Sequence, residues 1–144
     1  MPDRVVELYR HAYDLFNRRD WDGFIALMAE EIQVESRLAA MEGAYRGHEG
    51  LRRWWDDVLE TIPDYRVEVL EARQVRGGAL AHLRGTGSGS ASTTPVDDPF
   101  WQALRWGPDG RCVWWRNCAT EDEAIEALDA RAATTPPAAR PAPS

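Results

Sequence analysis

Apolar residues at Val5, Tyr9, Ala12 and Phe16 recur three and four positions apart and predict a one-sided helix over residues 3–18. Asp20 then caps a shorter helix carrying Trp21, Phe24, Ile25 and Met28. Ile32 to Ser36 alternates as a strand. After Gly43 and Gly47 a third helix starts near His48, with its buried stripe at Leu51, Trp54 or Trp55, Val58 and Ile62, and Pro63 ends it. From Tyr65 the period changes to two. Tyr65, Val67 and Val69 share a face, and the strand continues past an irregularity to Val75. A Gly77-Gly78 turn leads into a strand over 79–88. Residues 87–95 read as a flexible loop, Phe100 to Trp106 as a strand, Pro108-Asp109-Gly110 as a turn and Cys112 to Ala119 as the last strand. Thr120-Glu121-Asp122-Glu123 is a capping box that opens a final helix through about Leu128.

Helices followed by an antiparallel meander give an α+β domain over residues 1–131, and the Ala/Thr/Pro-rich stretch 132–144 is expected to be a disordered tail. Such a sheet has two faces, and helices that cover one leave the other bare. Ala81, Leu83, Trp101, Ala103, Trp114 and Cys118 are assigned to that second, convex face. An apolar convex face on a small protein predicts a homodimer.

Charge and composition narrow the function classes. The net charge of −7 and the lack of a basic stripe argue against nucleic-acid and anionic-membrane binding. No apolar run has transmembrane length and residues 1–20 do not read as a signal peptide, so a cytoplasmic protein is the expectation. Cys112 and Cys118 lie on one strand, about 20 Å apart at ~3.3 Å per residue, too far to bridge, and read as free buried thiols. His48 beside Glu49 has no second ligand at metal spacing, and the glycines at 85–89 lead to no helix that would cradle a phosphate. No metal or cofactor is expected.

Several features together resemble the SnoaL-like branch of the nuclear transport factor 2-like superfamily. They are Tyr9 to Met28 with its Asn-x-x-Asp-Trp turn, Tyr45-Arg46-Gly47-His48-Glu49-Gly50 opening the third helix, Gly110-Arg111-Cys112-Val113, and the closing Thr120 to Leu128. The resemblance spans about residues 4–130. It implies a cone-shaped α+β barrel, with three N-terminal helices packed on a curved, mainly antiparallel sheet and a short C-terminal helix, whose mouth opens on an apolar pocket. Relatives include ketosteroid isomerase, limonene epoxide hydrolase, scytalone dehydratase and polyketide cyclases. Their catalytic residues are not retained. Ser36 stands where ketosteroid isomerase has its general-base Asp, Ala12 where it has its Tyr (one place from Tyr13), and Gln102 where it has its protonated Asp. The two Asp of limonene epoxide hydrolase fall on Thr86 and Asn117, although its Arg matches Arg84.

The register implied by the resemblance turns His82, Arg84, Thr86, Phe100, Gln102, Leu104, Trp115, Asn117, Val34 and Ser36 inward, with Tyr9, Tyr13 and Trp55 as walls. His82 is then an acid or base, or else a neutral histidine bonded to a carbonyl or tyrosine. Arg84 holds an oxyanion, or pairs with Glu35, Asp14 or Glu68. Gln102 and Asn117 orient a carbonyl or hydroxyl, or bond each other. Ser36, Tyr13, Thr86, Trp115 and Trp55 complete a site for a hydrophobic ligand, the tryptophans being equally explained by packing. The leading expectation is a cofactor-free enzyme doing proton-transfer chemistry, as an isomerase, cyclase, dehydratase or hydrolase, on a hydrophobic carbonyl or polyketide-like compound. The alternatives are a non-catalytic hydrophobic-ligand-binding module and a dimerisation domain with a vestigial cavity.

Overall fold

In the computed structural model, residues 4–36, 45–75, 78–88 and 95–134 are described. They form helices α1 (Arg4–Asn17), α2 (Trp21–Ile25), α3 (Gly47–Thr61) and α4 (Glu121–Thr134), and strands β1 (Met28–Glu35), β2 (Tyr45–Arg46), β3 (Arg66–Val75), β4 (Gly78–Gly87), β5 (Val96–Trp106) and β6 (Cys112–Cys118). The strands make one curved, unclosed sheet in the order β2-β1-β6-β5-β4-β3. All neighbours are antiparallel except β1 and β6. Two caps match the sequence reading. Asp20 Oδ1 accepts from the Gly23 N–H at 3.0 Å, and Thr120 Oγ1 accepts from the Glu123 N–H at 3.2 Å. α4 runs six residues past the expected Leu128, and residues 135–144 of the expected tail lie outside the described residues.

The concave face holds α1, α2 and α3 around an aromatic knot. Phe16, fully buried, has its ring 5.0 Å from that of Trp55 and 5.7 Å from that of Trp54, and Trp54 reaches Trp115 at 5.2 Å. Truncating such a ring to alanine costs about 3–5 kcal/mol. Arg19 ties this layer to the α3–β3 turn. Its guanidinium donates to the carbonyls of Phe16, Pro63 and Tyr65 at 3.0, 3.1 and 2.7 Å, from a backbone held at φ 61°.

The convex face departs from expectation in two ways. α4 covers part of it, packing Ala124, Ala127 and Leu128 against Leu80, Ala103, Trp114 and Cys118. Ala81 and Leu83 are not on that face at all. Antiparallel partners project to the same side of a sheet, and here Ala81 pairs with Gln102 and Leu83 with Phe100, both concave residues. A bulge between Arg105 and Trp106 on the β5–β6 ladder shifts parity again, so Cys112 joins the concave core while Cys118 joins the convex cluster. Both cysteines are free and buried.

Candidate functional site

The one-residue shift on β4 decides which residues meet a ligand. His82, Arg84 and Thr86, expected inward, all project from the convex face, because their ladder partners Trp101, Pro99 and Asp97 do. His82 lies flat on Trp101, the rings 4.5 Å apart and 5° from parallel. Arg84 is exposed and grips Asp97 through two hydrogen bonds of 2.7 and 2.6 Å, a partner absent from the three acids considered from sequence. That grip holds the Asp97 carboxyl below the usual aspartate range. The concave stripe of β4 is instead Ala79, Ala81, Leu83 and Gly85. Its small residues admit close approach: a Cβ on Gly85 would sit 2.0 Å from the Tyr65 hydroxyl.

Under α1 and α3 the concave face leaves a cavity of about 300 Å³. Its walls are Phe16, Trp54, Val58 and Ile62 from the helices, Tyr65 and Val67 from the start of β3, and Val96 and Phe100 from β5. Five polar or partly polar side chains reach it: Tyr13, Tyr65, Ser36, Asn117 and Asp98. Trp54 takes the place expected for Trp55, which is buried between Phe16, Trp21 and Phe24. Trp115 is concave, as expected, but borders a different pocket.

A match to the SnoaL-like domain model covers residues 9–115, well over half of the sequence. The chain belongs to the SnoaL-like domain family. Its architecture is that of the nuclear transport factor 2-like cone. Similar solved structures include an NTF2-like protein of unknown function from Burkholderia pseudomallei, with TM-score 0.69 and 18% identity over 85% of this chain and 95% of that one. A SnoaL-like protein of unknown function from Burkholderia thailandensis gives TM-score 0.66 and 22% identity over 81% of this chain and 94% of that one. SalBIII, an epoxide hydrolase/cyclase-like enzyme with a role in pyran ring formation in the polyether salinomycin, gives TM-score 0.67 and 12% identity over 81% of this chain and 90% of that one. At these identities what is shared is the fold. No curated protein matches the sequence significantly.

Within this SnoaL-like cavity the polar groups are ordered along β5. Val96, Asp98, Phe100, Gln102 and Leu104 alternate onto the concave face, so Asp98 and Gln102 are separated by about 13 Å along the strand at ~3.3 Å per residue. Asp98 is the one charged side chain among the described residues that line the cavity. Sequence reasoning missed it by starting the strand at Phe100 and treating Asp97-Asp98 as a solvated turn. Extending the alternation two residues back past Pro99 would have placed Asp98 inside. The register of β5 with β6 begins only at Trp101, so the proline, which has no N–H to give, falls on a stretch paired on one side.

At the other end of the cavity Gln102, 2% exposed, donates from Nε2 to the Tyr13 hydroxyl oxygen at 3.0 Å and to Asn117 Oδ1 at 2.9 Å. The alternative of mutual bonding weighed for Gln102 and Asn117 is therefore present, and Tyr13 is its third member. Burial raises the Tyr13 pKa well above the ordinary tyrosine value, against a smaller lowering by the Gln102 bond, so the side chain is a neutral phenol. With its oxygen accepting from Gln102, the phenol keeps its own hydrogen as a donor. Asn117, with its oxygen engaged, keeps its NH₂. Among the described residues no group of three or more His, Cys, Asp and Glu is placed to hold a metal ion. No described helix is long and apolar enough to cross a membrane.

Proposed function

We propose that this SnoaL-like protein catalyses proton transfer on a neutral, hydrophobic carbonyl compound with an aromatic or polyketide-like body, with Asp98 as the base and without a cofactor. The observation that carries the reading is a single carboxylate inside an aromatic-walled cavity that also holds neutral hydrogen-bond donors. A carboxylate accepts a proton from a carbon α to a carbonyl. The Tyr13 hydroxyl and the Asn117 amide then stabilise the charge that develops on the oxygen, and the same carboxyl returns the proton elsewhere on the substrate. Low polarity around the reacting groups strengthens those bonds relative to water. Ser36 and Tyr65 complete the polar lining, while Phe16, Trp54 and Phe100 offer ring faces to a planar ligand. SalBIII, an epoxide hydrolase/cyclase-like enzyme on the same fold, supports a ring-forming or isomerising outcome.

The test is hydrogen–deuterium exchange at the α-carbon of a bicyclic aryl ketone, 2-tetralone, followed by proton NMR in D₂O. The protein is expected to accelerate loss of the α-proton signal over buffer, and Asp98→Asn to reduce that acceleration by a factor of ~10²–10⁴. Equal rates for the two proteins overturn the assignment of the base. Saturable binding of the ketone with no exchange selects the second reading, a ligand-binding module, which the missing catalytic residues of the known relatives favour.

The active unit in this proposal is a cytoplasmic homodimer. The partner covers the convex strip that α4 leaves open, where His82 stacks on Trp101 and Leu70 is 41% exposed. A mass of twice 16.3 kDa in native mass spectrometry is the expected result, and a monomer at micromolar concentration removes the dimer from the proposal.

A further inference from the structure

A second pocket, of about 90 Å³, lies further along β5, between α1 and the β5–β6 hairpin. Leu8, His11 and Gly110, all exposed, rim it, which gives it a mouth of its own. Its inner wall carries two buried polar atoms, the Tyr9 hydroxyl and Trp115 Nε1, and neither meets a hydrogen-bonding partner among the described residues. Tyr9 and Trp115 are 4% and 2% exposed, so solvent does not serve them from outside the pocket. Buried donors are almost always satisfied, and two orphans facing one small space call for an acceptor there.

We propose that this second pocket is a binding site for a compact neutral molecule, or end group, bearing one acceptor oxygen: a ketone, ester or amide. An indole N–H only donates, and the Tyr9 hydroxyl can donate too, so the complementary atom is an oxygen with lone pairs. The rest of the lining is largely apolar, including Phe24, Leu27, Met28 and Leu104, which suits an alkyl remainder. Both donors are held in place. Tyr9 stacks on Tyr13 at 6.4 Å, and Trp115 is wedged edge-on against Trp54 at 5.2 Å and Phe24 at 6.4 Å. A cavity of 150 Å³ accommodates benzene, so a 90 Å³ pocket takes four or five heavy atoms at most. No cation stands among the buried lining, and burial pushes the Tyr9, Tyr13 and Cys112 pKa values up, so the environment disfavours negative charge and selects a neutral acceptor. The Cys112 thiol, also on this wall, is occupied by the Trp114 carbonyl at 3.5 Å. The site stands apart from the Asp98 chemistry. The two spaces share Tyr13 as a wall but have different entrances.

The test titrates 2-butanone, and in parallel 2-methyl-1-butene, its isostere without the oxygen, into ¹⁵N-labelled protein. The readout is the Trp115 indole N–H resonance, assigned from Trp115→Phe or, should that variant not fold, by elimination using the other six tryptophans. Saturable movement of that resonance by the ketone, at least fivefold weaker binding of the alkene, and about fivefold weaker ketone binding in Tyr9→Phe are the expected results. An unmoved Trp115 resonance, equal affinity for ketone and alkene, unchanged affinity in Tyr9→Phe, or an indole–water contact that the ketone does not displace each overturn the site. Asp98→Asn is expected to bind 2-butanone unchanged, which separates failure of this site from failure of the proton-transfer reading.

Discussion

Replacing Gln102 with leucine tests whether the buried amide organises both walls of the cavity. The substitution keeps the side-chain volume close to native and removes two donors, those to the Tyr13 oxygen at 3.0 Å and to Asn117 Oδ1 at 2.9 Å. Each net hydrogen bond is worth about 1 kcal/mol, and a buried group left without its partner costs a further ~1–3 kcal/mol. Two facts lower that total. Both bereft groups border a cavity that admits water, and leucine gains from burial where glutamine had to be desolvated. A net destabilisation of about 1–2 kcal/mol follows, or a fall in melting temperature of roughly 3–10 °C for a chain of this size. The decisive number is the coupling with Tyr13→Phe. Alone, loss of the hydroxyl removes a bond. In the Gln102→Leu background it removes an already unpartnered group, so it costs little or stabilises. Urea unfolding followed by tryptophan fluorescence on the four proteins should return a coupling of about 0.5–1.5 kcal/mol with an unchanged slope. Additivity within ~0.3 kcal/mol would refute the network.

Further outcomes follow from other parts of the structure. Burial raises the Cys112 thiol from its ordinary 9.0 to about 12, so the unfolded chain loses that proton first. The contribution is complete below pH 9 and is lost as pH rises toward 12. Wild type should therefore lose about 2 kcal/mol more than Cys112→Ala between pH 9 and 10.5, as read by urea unfolding at each pH. Arg19→Ala should destabilise by about 1–3 kcal/mol through loss of its three carbonyl contacts, and Arg19→Gly by less, because glycine relieves the φ of 61°. Thermal unfolding in which glycine is the worse replacement contradicts that account. His82→Phe keeps the ring stack on Trp101 and lies outside the cavity, so 2-tetralone exchange should proceed at the wild-type rate; a tenfold loss returns His82 to the site.

The helical half of the fold was legible in the sequence, because one-sided apolar spacing and caps at Asp20 and Thr120 are local signals. The strands were harder, since a face depends on a parity that one bulge reverses. β3 carries such a bulge between Val69 and Glu71, and the β5–β6 ladder another between Arg105 and Trp106. On β4 the polar stripe Leu80, His82, Arg84 and Thr86 invited a pocket reading, yet the stripe of small and apolar residues is the one that packs under the helices. The convex positions of Trp101 and Trp114 were read correctly, but their covering was not. Trp114 lies beneath α4, with the Arg131 guanidinium 5.3 Å over its ring and its indole N–H bonded to Glu35, and Trp101 takes His82 as its lid. Asn117, Gln102, Tyr13 and Ser36 reach the cavity or its dividing wall as expected. Asp98 was hidden by a proline that breaks the visual pattern of a strand without ending it.

Polarity along β5 has a consequence for how a substrate lies. The charge of Asp98 sits two inward positions before Phe100, and the neutral amide of Gln102 two positions after it, so an extended ligand meets a carboxylate at one end and donors at the other. A ligand carrying its own carboxylate near Asp98 would set two negative charges within one low-polarity cavity, which is costly. A neutral ligand with its carbonyl toward Tyr13 and Asn117 satisfies the donors and brings a carbon several bonds away into reach of Asp98. The arrangement therefore favours remote proton abstraction across a conjugated system over abstraction directly beside the bonded carbonyl. Among ketones of equal size, α,β-unsaturated ones should exchange their γ-protons faster than saturated ones exchange their α-protons, relative to each compound's rate in buffer. The reverse order would place the carbonyl beside Asp98 and assign Tyr13 and Asn117 to binding the far end of the molecule.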